Sequence, residues 1–320
     1  METRKSRSEQ NNKSNKPKKK MSGLKKTLIA LATVLVICLA GAGIFFAKTY
    51  FDVKNVAEKM SVPVEGRPES VKVKEGDPFS VLLLGIDTGD FGRNDVGRSD
   101  TMLVATVNPR EKKTTLISVP RDTRTEIIGH DTTEKIAHAY AHGQEKMAMD
   151  TVDNLLDMQL DHYIWINMMG FEGLVNAVDG VDVDNKFEFE QDGFKFKKGP
   201  QSLNGEEALA YTRMRYEDPN GDYGRQVRQQ EVIEGIADKA LSLGGVKHYK
   251  AILKAIEDNM KTDLEPDEMF EIALNYRDSF QNIEDETLYG EGVWIDDVSY
   301  QEIPDDELVR VQNIIKGQVK

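Results

Sequence analysis

The sequence predicts a layered α-β-α domain with a central mixed sheet, preceded by one transmembrane helix. Two observations carry this prediction. An uncharged apolar run of 21 residues, from Thr27 to Ala47, lies near the N-terminus, and about 20 such residues span a bilayer as a helix. Further along, short β-branched runs alternate with segments of helical periodicity, which is the pattern of an α/β layered domain with ligands at its strand ends.

The N-terminal segment also predicts an orientation in the membrane. Residues 1–26 contain ten Lys or Arg and two Glu, and such a basic flank stays in the cytoplasm. Ala40-Gly-Ala42 resembles a signal-peptide cleavage site, but the apolar run continues past it and exceeds the usual length of about 7–15 residues. A buried core helix would not need ten cations on one side. We therefore expect an uncleaved signal-anchor at 27–47 of a single-pass type II protein of the cell membrane, with the following domain extracellular.

The rest of the chain is expected to form a stalk and a body. Residues 48–78 are polar and contain three prolines, which predicts an extracellular stalk that lifts the body away from the membrane. The body spans 79–320 and has its core at 79–243. Strands are predicted at 79–86, 101–107, 114–119 and 162–167, and a hairpin within 187–196. Helices are predicted at 144–156, 169–178, 204–211 and 222–243, and after Lys247 come amphipathic helices, a strand near 292–296 and a helix from Asp305.

Composition excludes several classes of function. The formal net charge of the chain is -13. Because residues 1–26 carry +8, the remainder carries -21 and is a poor partner for nucleic acid. The single cysteine, Cys38, lies in the apolar run, so the body has neither a disulfide nor a thiol nucleophile. The chain lacks a GxSxG motif, a P-loop and a Rossmann glycine fingerprint. His138 and His142 have no glutamate between them as in HExxH, and we interpret them as structural or surface residues.

Two aspartates flank the loop after the first predicted strand. Asp87 ends that strand and Asp100 begins the next. Adjacent strand ends bring two carboxylates together, and like charges in that arrangement need a cation. Oxygen ligands without cysteine favour Mg²⁺ or Mn²⁺ over zinc. The alternative is that both aspartates only cap turns.

The stretch YTRMRYEDPNGDYGRQVRQQ, residues 211–230, concentrates arginines in this acidic body. Arg213 and Arg215 are two apart, so an extended segment would direct both to the same side. Arg225, Arg228 and Gln229 are expected on one face near the start of the following helix. The helix dipole disfavours arginine there unless an anion compensates, and guanidinium groups at a helix N-terminus form a phosphate receptor.

A salt-bridged surface is the alternative for this stretch. Glu217, Asp218 and Asp222 would then neutralise the arginines, although Asp222 is also a plausible cap for the helix. The dipole argument favours an anion, with the aspartates shaping the loop. A separate pair, Arg121-Asp122, follows the third strand. Such neighbouring ion pairs are usually structural contacts of small energy.

Several motifs occur in a fixed order along the chain, namely LLLGID, RSDTM, SVPRDT, KIAHAYAHG and YTRMRYEDPNGDYGRQVRQQ, all after the membrane anchor. Together they resemble the LytR-CpsA-Psr family from about Val81 to Leu241. The resemblance implies an extracellular, Mg²⁺-assisted phosphotransferase. Such an enzyme moves an anionic glycopolymer, such as wall teichoic acid or capsule, from an undecaprenyl-pyrophosphate carrier to a peptidoglycan sugar 6-hydroxyl, forming a phosphodiester. Its partners would be that lipid-linked polymer, peptidoglycan and the membrane.

The resemblance also assigns roles to residues. Asp87 and Asp100 match the metal-associated aspartates. Seven residues match or adjoin the pyrophosphate-binding positions: Arg98, Arg121, Arg213, Arg215, Arg225, Arg228 and Gln229. The acceptor hydroxyl benefits from a base, for which Asp100 and Asp122 are alternatives, and Arg121 completes the predicted catalytic set. The family often has Asn at the position of Ala137 and Gly at that of Gln144, so contacts in this segment are expected to differ.

Two other functions fit part of the pattern. A hydrolase would split the same pyrophosphate lipid with water. The other is a non-enzymatic membrane regulator or scaffold of wall assembly. Direct DNA binding by such a regulator is disfavoured, because the body is acidic and the basic cluster is the short cytoplasmic tail. The lipid chain of the substrate requires an apolar groove, for which the predicted helices at 144–156 and 169–178 are candidates.

Overall fold

The structure is a computed structural model that describes residues 48–67, 73, 76–88, 96–241 and 243–319. The predicted cytoplasmic tail (1–26) and signal-anchor (27–47) lie outside these residues. Among the described helices, none combines the length and the apolar character needed to cross a bilayer. The chain divides into two compact units, Met1–Asp52 and Val53–Lys320. The sheet, the helices packed on it and the candidate site belong to the second unit.

A mixed sheet forms the centre of this unit, as the sequence predicts. The described strands are β1 (Phe79–Ile86), β2 (Ser99–Asn108), β3 (Lys113–Ser118), β4 (Arg124–Ile127), β5 (Thr132–Lys135), β6 (His162–Asn167), β7 (Val181–Asn185), β8 (Phe189–Gln191), β9 (Phe194–Phe196), β10 (Gly199–Leu203), β11 (Met260–Thr262), β12 (Ile283–Thr287), β13 (Glu291–Ile295) and β14 (Val298–Glu302). The central sheet has the order β11-β6-β1-β2-β3-β12. Its β1–β6 and β3–β12 pairs are parallel, and the others are antiparallel. The other strands form two-stranded pairs.

The helices agree closely with the predicted ones. They are α1 (residues 48–60), α2 (His138–Leu156), α3 (Met168–Ala177), α4 (Gly205–Arg213), α5 (Asp222–Leu241), α6 (Leu243–Ile256), α7 (Pro266–Asn275), α8 (Arg277–Phe280) and α9 (Asp305–Gln318). α2 begins before its predicted start at Gln144, but its backbone is non-helical at Gly143 and Gln144. The continuous part of α2 therefore starts where the periodicity indicates.

Alternation along the strands produces the layers. Successive strand side chains point to opposite faces, and Leu82 and Leu84 of β1 pack with Met149 of α2 and Val311 of α9. On the opposite face, Leu83 packs in a separate cluster with β2, β3 and α5. Helices therefore cover both faces of the sheet, which confirms the predicted α-β-α arrangement.

The C-terminal segment contributes to the same sheet. β11 pairs with β6 at one edge, and β12 pairs with β3 at the other. α9 packs against the face that α2 covers, where Val311 and Ile315 are buried. These contacts join the chain after Leu243 to the body, consistent with a body that continues to residue 320.

The predicted stalk is corrected by the structure. The compact unit begins at Val53 rather than at 79, because Val56, Ala57 and Met60 of α1 are buried. The N–H of Val62 also donates to the carbonyl of Thr262 at 2.7 Å. Only three apolar side chains anchor this helix, too few to stand out from the polar composition of the segment.

Candidate active site

A cavity of about 590 Å³ lies between the central sheet and helices α3, α4 and α5. Its volume is within the usual range for ligand pockets, about 300–1,000 Å³. The sheet contributes apolar side chains from four neighbouring strands, Leu83, Leu103, Ile164, Ile166 and Met260. The helices contribute a second apolar wall, formed by Phe171, Leu174, Leu209, Ile233 and Ile236.

Helix α5 lines the cavity with polar side chains at one end and apolar side chains at the other. Arg225, Gln229, Ile233 and Ile236 all line it, and spacings of four, four and three residues put them on one face of the helix. From Arg225 to Ile236 the helix rises roughly 16 Å at 1.5 Å per residue. The cavity therefore changes from cationic to apolar along the length of one helix.

The two predicted metal-binding aspartates come together at the polar end. β1 and β2 are antiparallel and Ile86 pairs with Ser99, so Asp87 and Asp100 both line the cavity. The backbone N–H of Arg98 donates to Oδ1 of Asp87 at 2.6 Å. Gly97 has φ +73°, and a Cβ there would lie 2.8 Å from the same oxygen, so this turn needs glycine.

The side chain of Arg98 is placed differently from the other predicted arginines. Arg98 is exposed and is not among the residues that line the cavity in the described part of the chain. Its backbone N–H, by contrast, donates to Asp87. Residues 89–95, which precede it in the same loop, lie outside the described residues.

Asp100 and Arg121 form an ion pair in the cavity wall. Nη1 of Arg121 lies 2.8 Å from Oδ2 of Asp100. Burial would lower the pKa of Arg121, but the charges of Asp100 and Asp122 outweigh it and raise the pKa above its ordinary value. Both members of the pair line the cavity, so both are accessible to a bound substrate.

Asp122 lies behind this pair, with two cations on its carboxylate. Lys135 Nζ donates to Oδ1 at 2.8 Å, and Arg215 Nη2 lies 3.3 Å from Oδ2. Burial alone would raise the pKa of Asp122, but the hydrogen bond and charge of Lys135, followed by Arg121 and Arg215, lower it. Asp122 is not among the described cavity-lining residues. The position of Asp122 therefore suits a residue that holds Arg215 in place, and it suits the predicted role of general base less well.

Arg213 and Arg215 both reach the cavity. α4 starts with a capping box, in which Asn204 accepts from the N–H of Glu207, and Arg213 is its last residue. Met214 is extended, with φ -61° and ψ 132°, and Arg215 follows directly. Nη1 of Arg213 lies 3.2 Å from Oδ2 of Asp192, in the β8–β9 turn.

The expectation that Asp222 leaves the arginines without a partner is wrong. Oδ1 of Asp222 lies 2.8 Å from Nη2 of Arg225 and 3.4 Å from Nε of Arg215. Asp222 does begin α5 as predicted, and a carboxylate in a first turn interacts favourably with the helix dipole. The carboxylates and arginines at this end of the cavity therefore form a network of ion pairs.

This network leaves some donors unused. Among the residues that the structure describes, the Nε groups of Arg121 and Arg225 are buried without a hydrogen-bond partner. Arg225 is only 6% exposed, and burial lowers its pKa below the ordinary value, although arginine stays charged in proteins. A buried donor without a partner is costly. An anion bound at this end of the cavity would be well suited to satisfy such donors.

Arg228 is a correction to the predicted pyrophosphate-binding set. Its guanidinium group is buried, and it donates to Tyr211 O at 3.0 Å, to Asp218 and to the carbonyl of Met214. It also lies over the rings of Phe189 and Tyr211. On a 3.6-residue turn, Arg228 is rotated about 60° from Arg225, away from Gln229. The three residues therefore do not share one face, and Arg228 holds α5 against α4.

Sequence reasoning missed Lys135 and Tyr216. Lys135 begins the KIAHAYAHG motif, so a signal was present, but its contact with Asp122 depends on the β4–β5 hairpin. Tyr216 is 96% exposed at the cavity and has no motif of its own. Of the two helices predicted to line a groove, α3 contributes Phe171 and Leu174, whereas α2 packs in the core.

The fold and the site together define a class of protein. An α/β layered domain presents clustered arginines and two aspartates at one end of an otherwise apolar cavity, which suits an amphiphilic anion. The chain belongs to the LytR_cpsA_psr family, which its sequence matches over residues 47–317. This confirms the resemblance on which the site residues were predicted.

Named relatives cover three quarters or more of the chain. A polyisoprenyl-teichoic acid–peptidoglycan teichoic acid transferase TagU of Enterococcus faecalis is 52% identical over 298 residues, which is 93% of this chain and 98% of the relative. The crystal structure of TagU from Bacillus subtilis has a TM-score of 0.61 and 39% identity, covering 76% of this chain and 97% of that one. A structure of TagT bound to LIIa-WTA has a TM-score of 0.66 and 30% identity, covering 81% and 98%.

Proposed function

We propose that this protein transfers an anionic glycopolymer, of the wall teichoic acid or capsule type, from an undecaprenyl-pyrophosphate carrier to a peptidoglycan sugar 6-hydroxyl. The observation that carries the proposal is the polarity of the cavity. Arg121, Arg213, Arg215 and Arg225 surround one end of it, and its other end is apolar. A pyrophosphate joined to a polyprenyl chain has the same two parts. The names of the relatives support the same reaction.

The reaction is a phosphoryl-group transfer. The acceptor hydroxyl oxygen attacks the phosphorus that carries the polymer, a new P–O bond forms, and the bridging P–O bond breaks. Polyprenyl phosphate leaves, and the hydroxyl proton passes to a base. Positioning and electrostatics supply most of the catalysis in such transfers. The arginines are placed to bind the pyrophosphate oxygens and to stabilise the charge that develops on the leaving group.

Asp100 is the better candidate for the base. It lines the cavity beside Arg121, whereas Asp122 lies behind the lining and has a lowered pKa because Lys135 outweighs its burial. Asp122 would then act by fixing Arg215 and, through its charge, Arg121.

Asp87 and Asp100 fit a hard divalent cation, Mg²⁺ or Mn²⁺, because both line the cavity at adjacent strand ends and oxygen ligands suit these ions. When bound there, such an ion would supply charge neutralisation for the pyrophosphate. The backbone of Gly97 and Arg98 orients Asp87 for this role. Asp87→Asn tests the metal dependence separately from the base, and it should raise the Mg²⁺ concentration that half-maximal transfer requires.

The site is placed outside the cytoplasmic membrane in this proposal. The basic residues before Thr27 and the apolar run 27–47 favour a single-pass type II anchor. The lipid-linked donor is itself a membrane component, so an anchored enzyme meets it in two dimensions. A protease-accessibility assay on intact protoplasts should cleave residues after 48 and leave the N-terminal tail protected.

Reconstituted transfer with matched arginine variants tests the function. The full-length protein in detergent is given a polyprenyl-pyrophosphate-linked polymer and peptidoglycan, and both polyprenyl phosphate and peptidoglycan-bound polymer are measured. Arg121→Ala and Arg213→Ala should each lower kcat/KM about 10²–10³-fold. Arg110→Ala is the control, because Arg110 is exposed and pairs with Asp77.

The same assay separates transfer from hydrolysis. A transferase releases polyprenyl phosphate only when the acceptor is present, and the polymer is recovered on peptidoglycan. Equal release without acceptor, with free phosphorylated polymer as product, would assign the protein to the hydrolases. Unchanged transfer by both arginine variants would contradict the assignment of this cavity as the active site.

A further inference from the structure

Three histidines surround one glutamate at the β4–β5 hairpin. His130 lies in the turn that joins β4 to β5, and Glu134 lies in β5. His138 and His142 follow in the first turns of α2, before its break at Gly143. The transferase mechanism uses none of these four side chains.

The ligand atoms of this cluster lie close together. One nitrogen each from His130 and His142 and one carboxylate oxygen of Glu134 are all within 4.8 Å of one another. Nε2 of His142 is 3.1 Å from Oε1 of Glu134, and the His130 and His142 rings stack with centroids 3.8 Å apart. Bonds of 2.0–2.2 Å from one ion to that nitrogen and oxygen would enclose roughly 95°.

We propose that His130, Glu134 and His142 bind a divalent transition-metal ion, of which Zn²⁺ is the expected one. Two imidazoles and a carboxylate are a ligand set that zinc accepts, with water at the remaining position. Because an imidazole lone pair lies in the plane of its ring, binding requires the two rings to turn out of the stack until both nitrogens face the ion.

His138 supplies the outer support that such sites use. Its Nδ1 lies 2.6 Å from Oε2 of Glu134, the carboxylate oxygen opposite the one near His142. The hydroxyl of Thr132 donates to Oε1 at 2.7 Å. Hydrogen bonds of this kind orient the ligating carboxylate. His138 is therefore a positioning residue for the ion rather than a ligand.

The proposed zinc site is separate from the site of Asp87 and Asp100. It has imidazole ligands, which suit zinc, where the cavity has carboxylates alone, which suit Mg²⁺. The chain still connects the two, because Lys135, next to Glu134, donates to Asp122. Bound zinc would fix the hairpin to the start of α2 and hold Lys135 in place.

Zinc titration of the full-length protein in detergent tests the proposal. The protein is freed of metal with a chelator, and Zn²⁺ is titrated against a metallochromic indicator in millimolar Mg²⁺. We expect one zinc ion per chain, and a Tm about 5 °C higher at saturation since the ion binds only the folded site. Co²⁺ in place of Zn²⁺ should give the visible absorption of a four-coordinate or five-coordinate nitrogen–oxygen site.

Variants of the cluster identify the ligands. His130→Gln and His142→Gln should each weaken zinc binding by about 100-fold, and His138→Gln by about tenfold, as expected for outer support. His248→Gln is the matched control, because His248 also pairs with a carboxylate, Asp179 at 3.1 Å, but lies outside the cluster. Asp100→Asn should also leave zinc affinity unchanged.

Two results would overturn the proposal. One is a wild-type protein that binds no zinc in the micromolar range, which would make the cluster a set of hydrogen bonds only. The other is zinc affinity that survives in His130→Gln and His142→Gln but falls in Asp100→Asn, which would place the ion in the cavity. Neither readout depends on transferase activity.

Discussion

Arg228 and Arg213 belong to one arginine-rich stretch, yet different surroundings hold them. Arg228 pairs with Asp218 in the interior, where both side chains are almost fully buried. Arg213 pairs with Asp192 at a partly exposed position. A buried pair that loses one partner leaves an uncompensated charge, whereas an exposed pair contributes little.

Alanine at each position should therefore have opposite consequences. Arg228→Ala should lower the free energy of unfolding by about 3–5 kcal/mol. Arg213→Ala should lower it by less than about 1 kcal/mol and should reduce transfer instead. Urea unfolding at neutral pH, followed by circular dichroism, measures the difference.

The double variant Arg228→Ala/Asp218→Ala is the control for this prediction. It should regain part of the lost stability, because it no longer buries a lone carboxylate. If Arg228→Ala kept full stability and lost only transfer, Arg228 would return to the pyrophosphate-binding set.

Gln144 occupies a backbone conformation that suits glycine. Its φ is 54° and its ψ is -147°, a region in which non-glycine residues are strained by roughly 1–3 kcal/mol. The resemblance to the family implies glycine at this position, and the break in α2 supplies the reason. Its side chain is exposed, so little packing is lost on its removal.

Gln144→Gly should therefore stabilise the protein by about 1 kcal/mol, because relief of strain exceeds the added flexibility of glycine in the unfolded chain. The midpoint of urea unfolding measures this. Gln281→Gly is the matched control at an ordinary φ of -90° and should be neutral or destabilising. Equal changes in unfolding free energy at both positions would contradict the proposal that the backbone is strained at Gln144.

At the level of secondary structure, periodicity identified the elements that pack on the core. β1, β6 and α5 carry apolar patterns long enough to recognise, and the structure confirms them. β11 has only three residues and β12 reads IEDET, so neither has an apolar pattern. Their places at the sheet edges come from pairing with β6 and β3, which is tertiary information.

The site divides in the same way. The approach of Asp87 to Asp100 could be predicted because consecutive strands form a hairpin-like pair. The burial of Arg228 and the exposure of Arg98 could not be predicted. Helical spacing gives the direction of the Arg228 side chain around the helix axis, but it does not show which element packs against that side. The pairing of Lys135 with Asp122 needs the fold of a hairpin without an apolar signature.

The contact between α5 and β12 makes stability depend on pH. Burial, together with the charge and hydrogen bond of Asp285, raises the pKa of Glu234 to about 7, and Asp238 and Glu231 add negative charge. The pKa of Asp285 is also raised, chiefly by burial. A raised carboxyl pKa favours the folded state at low pH. This contribution is complete below about pH 4.5, the unfolded value, and is lost as the pH rises through about 7.

Glu234→Gln should remove most of this dependence, because the amide stays neutral at every pH. Thermal unfolding between pH 5 and pH 8 should show a Tm that falls for the wild type and changes less for the variant. Glu284→Gln is the control, because Glu284 lies beside Asp285 in β12 but is exposed and pairs with Lys113. This variant should keep the wild-type dependence of Tm on pH. A wild-type Tm that rises over this range would contradict the assignment.

For the body as a whole, the cavity joins four strands and three helices around one binding path for the ligand. Leu174 of α3 lines this cavity without belonging to a buried cluster of the described residues. A larger side chain at this position can therefore extend into the cavity. By contrast, Val152 of α2 is fully buried in the core on the other face of the sheet.

Leu174→Trp should thus separate the lipid chain from the pyrophosphate group. We expect stability within about 1 kcal/mol of the wild type, whereas Val152→Phe should cost about 1–3 kcal/mol through overpacking. Because the tryptophan occupies space that the apolar chain would use, transfer from a long polyprenyl donor should fall about tenfold, which corresponds to 1.4 kcal/mol, and transfer from a short-chain donor should fall less. Equal losses with long and short donors would show that the apolar end of the cavity does not hold the lipid, and would leave the arginine end as the whole of the donor site.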